Sequence, residues 1–188
     1  MTGVQTCALP IWLTELMGGS IAAKSGREKG TVFRVELAFD RMEEKEKTEA
    51  ESEALAGKRL LLAEDDRLCG EILCELLEDE TGRPVSITAN GRAALEMFES
   101  ANGEYDAIIM DVQMPVMNGY EAARAIRRSG CGNAKTVPII ALTADASEES
   151  ARAAADSGMN GCLTKPVNID RLRKAVAAAL KSLSVAYR

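Results

Sequence analysis

From Lys58 onward the chain alternates short apolar runs with stretches whose apolar residues recur at helical spacing. The runs Arg59 to Ala63, Val85 to Thr88, Ala107 to Met110, Pro138 to Leu142 and Gly161 to Leu163 read as buried strands. Between them lie three amphipathic stripes: Cys69, Ile72, Leu73, Leu76 and Leu77, then Ala93, Ala94, Met97 and Phe98, then Ala122, Ala123 and Ile126. The last helix carries Ile169, Leu172, Val176, Ala179 and Leu180 on one face. All of these stripes are expected to face a core. Repeated strand and helix alternation predicts an α/β fold with a parallel sheet covered on both faces. The fourth helix, "SEESARAAADSG", offers mostly alanine to the interior, and such weak anchoring suits a movable surface.

Upstream of this region the pattern changes. Leu13, Leu16 and Met17 suggest a helix end stopped by Gly18 and Gly19. Strands over Ser20 to Lys24 and Thr31 to Phe39 follow, the second carried by Val32, Phe33, Val35, Leu37 and Phe39. This piece alone is too short to bury a stable core. Arg41 to Gly57 holds six glutamates and three basic residues and is expected to be a solvated linker, because it lacks an apolar stripe to pack. Residues 1–11 lack the basic start and long apolar run of a signal peptide. Thr2 to Ile11 resembles the translation of a sequencing adapter, so an artefact is expected there rather than evolved protein.

Composition narrows the function classes. With 188 residues, 46% of them hydrophobic, the chain can bury one core plus a small appendage. A formal charge of -6 argues against nucleic acid or an anionic membrane as direct partner, since both demand a basic footprint. The five cysteines, at 7, 69, 74, 131 and 162, form no CxxC pair, and there is no histidine. Neither a zinc site nor a disulfide framework is implied, and free thiols in a reducing cytoplasm are expected. No apolar stretch reaches the roughly 18 residues that span a bilayer, and no GxxxxGK[ST] phosphate loop occurs.

Candidate chemistry gathers where the strands end. The first delivers Glu64, Asp65 and Asp66, the third Asp111, the fourth Thr143, and the fifth Thr164 and Lys165 before Pro166. Open α/β sheets bind ligands at the carboxyl ends of their strands. Asp111 could be a helix cap, a metal ligand, a general base or a nucleophile; Asp65 or Asp66 could cap the first helix. Crowded carboxylates repel and raise one another's pKa unless a hard cation such as Mg2+ sits among them. Beside such a cation a strand-end aspartate can attack a phosphoryl group and form an acyl phosphate. Lys165 would balance phosphoryl charge, and the Thr143 hydroxyl would donate to a phosphoryl oxygen. Asn118 and Gly119 suggest a turn in which Gly119 accepts positive φ.

The segments "LLLAEDD", "IIMDVQMPVMNGYEA", "PIIALTAD" and "CLTKPV", in this order and spacing, resemble the receiver domain of two-component response regulators over residues 58–184. The resemblance implies a flavodoxin-like doubly wound sheet of order 2-1-3-4-5, an order for which this family is itself a standard example. It further implies Asp111 as phosphoacceptor, Glu64 and Asp65 as an acidic pair, and the Gln113 backbone carbonyl as a third contact to Mg2+. Thr143 would be the switch hydroxyl, Lys165 the phosphate-binding lysine, and Lys165–Pro166 a cis bond. Such a domain catalyses its own phosphorylation and dephosphorylation. One departure stands out: Cys162 occupies the position where the family usually carries an aromatic ring that reports Thr143 moving toward phosphate.

The stretch "LTELMGGSIAAKSGREKGTVFRVELAF" resembles the C-terminal end of the histidine-kinase ATP-binding domain, with Gly30, Thr31 and Phe33 matching its late strand. Glu28 replaces a usual glycine, and the nucleotide-binding motifs would lie before Leu13, so ATP binding is expected to fail. Together the resemblances imply residues 12–40 as a kinase remnant and residues 41–57 as linker before the receiver, the tail of a hybrid sensor kinase truncated upstream. Because no output module follows Arg188, the expected partners are a phosphohistidine donor and a histidine phosphotransfer protein, met in the cytoplasm. Two alternatives are a Mg2+-dependent phosphohydrolase with an aspartyl nucleophile, which would want an acid where Gln113 stands, and a phosphate-independent interaction module.

Overall fold

A computed structural model describes residues 14–15, 18–26, 30–38, 55–145 and 147–186. The expectations for residues 1–11, for Leu13, Leu16, Met17, Glu28 and Phe39, and for the linker up to residue 54 lie outside the described residues. The chain divides into two units, Met1–Glu46 and Lys47–Arg188.

In the first unit β1 (Ser20–Gly26) pairs antiparallel with β2 (Gly30–Glu36), in register from Ser20 opposite Glu36 to Gly26 opposite Gly30. Gly18 takes φ 71° and donates to the Glu15 carbonyl, while Gly19 donates to Thr14. A left-handed glycine closing a helical turn is the stop expected there. Strand alternation puts Ile21, Ala23, Phe33 and Val35 on one face of the hairpin and Ala22, Lys24, Val32 and Arg34 on the other.

The second unit runs β3 (Leu60–Ala63), α1 (Arg67–Thr81), β4 (Ser86–Thr88), α2 (Gly91–Ser100), β5 (Ala107–Asp111), α3 (Gly119–Arg128), β6 (Ile139–Thr143), α4 (Glu148–Asp156), β7 (Gly161–Thr164) and α5 (Ile169–Ala186). The five strands are parallel in the order β4-β3-β5-β6-β7, which is 2-1-3-4-5 counted within this unit. Consecutive strand residues point to opposite faces, so each strand feeds two cores. Ile108, Met110, Ile139 and Ala141 pack with Phe98 and Ile126 of α2 and α3. Ala107, Ile109, Ile140 and Leu142 pack with Leu73, Leu77, Leu172 and Val176 of α1 and α5. Each of the isoleucine, leucine, valine, phenylalanine and methionine side chains among them, fully buried, stabilises the fold by about 1.5–3 kcal/mol.

Two expectations about packing need correction. On α1 only Leu73 and Leu77 of the predicted stripe reach the core; Cys69 is exposed, and Ile72 and Leu76 join Leu68 in facing solvent. The buried side of α1 includes Gly70 and Thr81, and a Cβ added at Gly70 would push aside the Cδ1 end of the half-exposed Ile87 side chain. Leu55, read as part of the charged linker, is fully buried among Leu60, Leu62 and Leu77. Gly57 donates to the Thr81 carbonyl, so the chain is already docked before β3 begins. The alanine-faced α4 behaves as expected and buries only Ala154.

Candidate functional site

The strands β5, β6 and β7 each run one residue further than the apolar pattern indicates, and the extra residues are Asp111, Thr143 and Thr164. Asp111 pairs with Leu142 in the sheet and Thr143 with Thr164, so the backbone ladder fixes where the carboxylate and hydroxyl stand. Behind Asp111 the chain turns through a γ-turn at Val116, where Met117 N donates to the Pro115 carbonyl at 2.7 Å. Val116, not Gly119, carries the positive φ, at 68°. Gly119 instead opens α3, its N–H bonded to Val112 O at 3.0 Å, and a Cβ there would run into the Asp111 carbonyl oxygen. Asn118 caps α3 in a reciprocal capping box with Glu121. The turn expected at Asn118 and Gly119 is thus a helix start, and glycine is needed for close approach.

Lys165 is the hub. Its Nζ donates to Asp111 Oδ2 at 2.7 Å and to Glu64 Oε1 at 2.7 Å. It lies equally close to Glu64 Oε2, but no donor is aligned on that oxygen, which is buried without a hydrogen bond. Burial pulls the Lys165 ammonium toward neutrality, yet its bonds to Asp111 and Glu64 outweigh this and its pKa stands above the ordinary lysine value. Glu64, only 2% exposed, is pushed above the ordinary glutamate value by burial, against the Lys165 hydrogen bond that favours its charge. Lys165 N also donates to the Thr143 carbonyl at 2.7 Å, and the Lys165–Pro166 bond is cis as expected.

The other predicted residues fall around this pair. Carboxylate oxygens of Glu64, Asp65 and Asp111 lie within 4.8 Å of one another, with Asp65 exposed to solvent. Three hard oxygens with a buried lone pair on Glu64 and an open side at Asp65 suit a cation such as Mg2+, which keeps several waters. Gln113 lies in the loop beyond Asp111 and donates its N–H to Asp111 Oδ1 at 3.1 Å. Thr143 is buried, and its Oγ1 accepts from Asp145 N at 3.2 Å. Asp66 is apart from the cluster: its Oδ1 caps α1 by accepting from Cys69 N at 2.8 Å. A cavity of about 230 Å3 beside Cys162 is lined by Asp145, Thr164 and Arg171 but by none of Glu64, Asp65, Asp111 or Lys165. It belongs to the flank of β7 rather than to the acidic cluster.

The sequence pattern did not single out Tyr120, Ser147 or Ser150. Tyr120 Oη reaches the Ser150 carbonyl, and both serines donate to the Asp145 carboxylate. The only local signal was the serine ahead of a helical run, an N-cap pattern. Arg127 was likewise unforeseen. Its guanidinium donates to Gly158 O, Ala134 O and Asn160 Oδ1 and clamps the turns at the far ends of β6 and β7.

Known proteins place this arrangement. Residues 60–177 match the response regulator receiver domain family. The chain is 36% identical over 153 residues to "Probable histidine kinase 2" of Oryza sativa, covering 75% of this chain and 14% of that protein. It is 32% identical over 174 residues to the virulence sensor protein BvgS of Bordetella bronchiseptica, covering 86% of this chain and 14% of BvgS. The chain therefore spans a small part of the length of these relatives. Among solved structures, it resembles the receiver domain of the sensor histidine kinase PA1611 of Pseudomonas aeruginosa, described with a magnesium ion in the active-site cleft. That match has TM-score 0.57 and 35% identity, over 67% of this chain and 99% of that one. It also resembles a Saccharomyces cerevisiae structure of the phosphotransfer protein Ypd1 with the receiver domain of Ssk1, at TM-score 0.58 and 32% identity, over 65% and 88% of the chains. Among the described residues no helix is long and apolar enough to cross a membrane. By its fold, its acidic cluster and its match over residues 60–177, the chain belongs to the response regulator receiver domain family.

Proposed function

We propose that this chain accepts a phosphoryl group from a phosphohistidine onto Asp111, in the phosphorelay of a hybrid sensor histidine kinase. The observation that carries the reading is the Lys165 ammonium held 2.7 Å from Asp111 Oδ2 at the end of the central strand. A carboxylate oxygen of Asp111 attacks phosphorus, the P–N bond to the donor imidazole breaks, and the departing nitrogen keeps the electron pair and takes a proton. Lys165 neutralises charge on the transferred group, and the Gln113 N–H orients the acceptor carboxylate. The Thr143 hydroxyl donates to a phosphoryl oxygen. Glu64, Asp65, Asp111 and the Gln113 carbonyl would hold Mg2+, which supplies Lewis-acid polarisation of the phosphoryl oxygens.

Partner choice finds support in α1. Leu68, Ile72 and Leu76 recur every fourth residue and stand exposed along one line of a helix that starts beside the acids. An apolar stripe of this kind suits the side of a helical bundle carrying a histidine, such as a kinase dimerisation helix or a phosphotransfer protein. The hairpin β1–β2, with its exposed Val32, Phe33 and Val35, fits the end of a kinase ATP-binding domain. The free thiols of Cys69, Cys74, Cys131 and Cys162 suit a reducing cytoplasm.

Incubation with Mg2+ and acetyl phosphate tests the reading. A base-labile, hydroxylamine-sensitive phosphoryl adduct is expected, absent in Asp111→Asn and without Mg2+. No adduct in the wild-type chain would contradict it, and steady turnover of phosphomonoesters would favour the phosphohydrolase instead.

A further inference from the structure

The segment after Thr143 is tied together by its own side chains. Asp145 N donates to Thr143 Oγ1 at 3.2 Å. The Asp145 carboxylate accepts from Ser147 Oγ at 2.7 Å, Ser147 N at 2.9 Å and Ser150 Oγ at 3.0 Å. Ser147 also caps α4 by accepting from Ser150 N. Thr143, Asp145 and the first turn of α4 therefore form one hydrogen-bonded unit.

Its outer end meets α3. Tyr120 Oη donates to the Ser150 carbonyl at 3.4 Å, and its ring packs, together with Cys162, against the core cluster that contains Ile108 and Met110. Burial lifts the Tyr120 phenol above its ordinary pKa, with Cys162 and Asp145 adding to the shift, so it stays a neutral donor at pH 7. Tyr120 is itself fixed to the acceptor, because the preceding Gly119 is bonded to Val112 O and sits against the Asp111 backbone. Two paths thus leave Asp111. One runs through Gly119 to Tyr120; the other crosses from β5 to β6 and passes through Thr143, Asp145 and the serines. They close on the contact between Tyr120 and Ser150. With a small thiol at Cys162, the ring beside this joint comes from α3 rather than from β7.

We propose that Tyr120 is a positioning residue whose hydroxyl, bonded to Ser150 O, holds the hydrogen-bonded set of Thr143, Asp145, Ser147 and Ser150 in its phosphate-free arrangement and is released when Thr143 engages a phosphoryl group on Asp111. The inference rests on Asp111 being the acceptor. Turning the Thr143 hydroxyl toward Asp111 redirects the lone pair that Asp145 N uses, and Asp145 carries both serines with it. An O–H···O separation of 3.4 Å lies beyond the usual 2.5–3.0 Å range, so this joint is the weakest in the circuit.

Linkage makes the idea testable, because a bond made only in the free state opposes ligand binding by the same factor that binding opposes the bond. Beryllofluoride with Mg2+ serves as the phosphoryl probe, titrated into the wild-type chain, Tyr120→Phe and Ser150→Ala, with amide hydrogen exchange read over Ser147–Ala151. Tyr120→Phe is expected to bind the probe about 2- to 10-fold more tightly, as befits loss of one neutral hydrogen bond from the free state alone. Its α4 first-turn amides should already exchange fast without probe, whereas those of the wild type should speed up only on binding. Ser150→Ala, which keeps the carbonyl but removes one of the three donors to the Asp145 carboxylate, should shift affinity in the same direction. A purely structural hydroxyl would weaken both states alike, so equal or weaker probe binding by a folded Tyr120→Phe overturns the proposal. If the wild-type chain binds no beryllofluoride, the acceptor reading fails and this inference with it; if it binds and Tyr120→Phe matches it, this inference fails alone.

Discussion

The ammonium of Lys165 lies 2.7 Å from a Glu64 carboxylate that is almost wholly buried, so one cation from β7 answers an acid from the far side of β5. Opposed effects meet there: burial raises the Glu64 pKa, while Lys165 keeps its own proton firmly.

This pair sets a pH dependence. Because the folded pKa of Glu64 is raised above 4.5, the folded state binds more protons than the unfolded one just above that pH. Glu64 therefore favours folding fully below pH 4.5, and its contribution is lost as pH rises through the raised folded value. In EDTA, urea unfolding of the wild-type chain minus that of Glu64→Gln should show this loss with rising pH. A difference that grows instead would mean the carboxylate is stabilised in its charged form.

Mg2+ should reverse that trend, since the cation selects ionised carboxylates. At a hundredfold excess over its dissociation constant it should stabilise the fold by about 2.7 kcal/mol. Asp65 is exposed, so Asp65→Asn should fold normally yet lose most of this gain. Equal Mg2+ stabilisation of the two chains would remove Asp65 from the metal site.

Leu55 offers a test of where the packed unit begins. It is fully buried although it follows a glutamate-rich stretch. Leu55→Ala should cost about 2–5 kcal/mol, visible as a lower urea midpoint. A midpoint unchanged from wild type would return Leu55 to the linker.

Gly119 should not tolerate a side chain, because its Cβ would meet the Asp111 carbonyl. Gly119→Ala is expected to destabilise the domain by about 1–3 kcal/mol through overpacking. It should also slow phosphorylation by acetyl phosphate, since relief of the clash moves the acceptor backbone. Normal stability together with a normal rate would show that α3 can retreat without disturbing Asp111.

The exposed line on α1 predicts a split between donors. Ile72 is half exposed and lies outside both buried clusters, so a charge there leaves the core intact. Ile72→Glu should leave phosphorylation by acetyl phosphate unchanged while slowing transfer from a phosphohistidine protein roughly tenfold or more, as expected when a central apolar anchor is removed from an interface. Equal slowing with both donors would mean that the substitution harms the site and not docking.

Much of this molecule was legible in the chain itself. A strand with helices on both sides is buried at every position and so reads as a continuous apolar run, which let Ile108 and Ile109 be assigned to the sheet without coordinates, and the strand ends then named Asp111, Thr143 and Lys165. The same local reasoning misjudged α1, where Cys69, Ile72 and Leu76 look as apolar as Leu73 and Leu77. Which side of that helix is covered depends on Leu73 and Leu77 packing with Leu60, Leu62 and Leu172, contacts between residues distant in sequence. Leu55 was hidden for a related reason: one leucine among glutamates has no period, and only the β3–α1 layer gives it a place to be buried.

Sequence alone determined the order of the elements along the chain and the acids, threonines and lysine at the strand ends, because these follow from residue type and spacing. Tertiary structure decided what no spacing encodes: that Lys165 bridges Glu64 and Asp111 at once, that Asp66 turns away to cap α1, and that Tyr120 meets Ser150. Each of these joins segments far apart in the chain or selects between neighbouring carboxylates. The choice depends on distances of a few ångströms that only the packed sheet and its helices set.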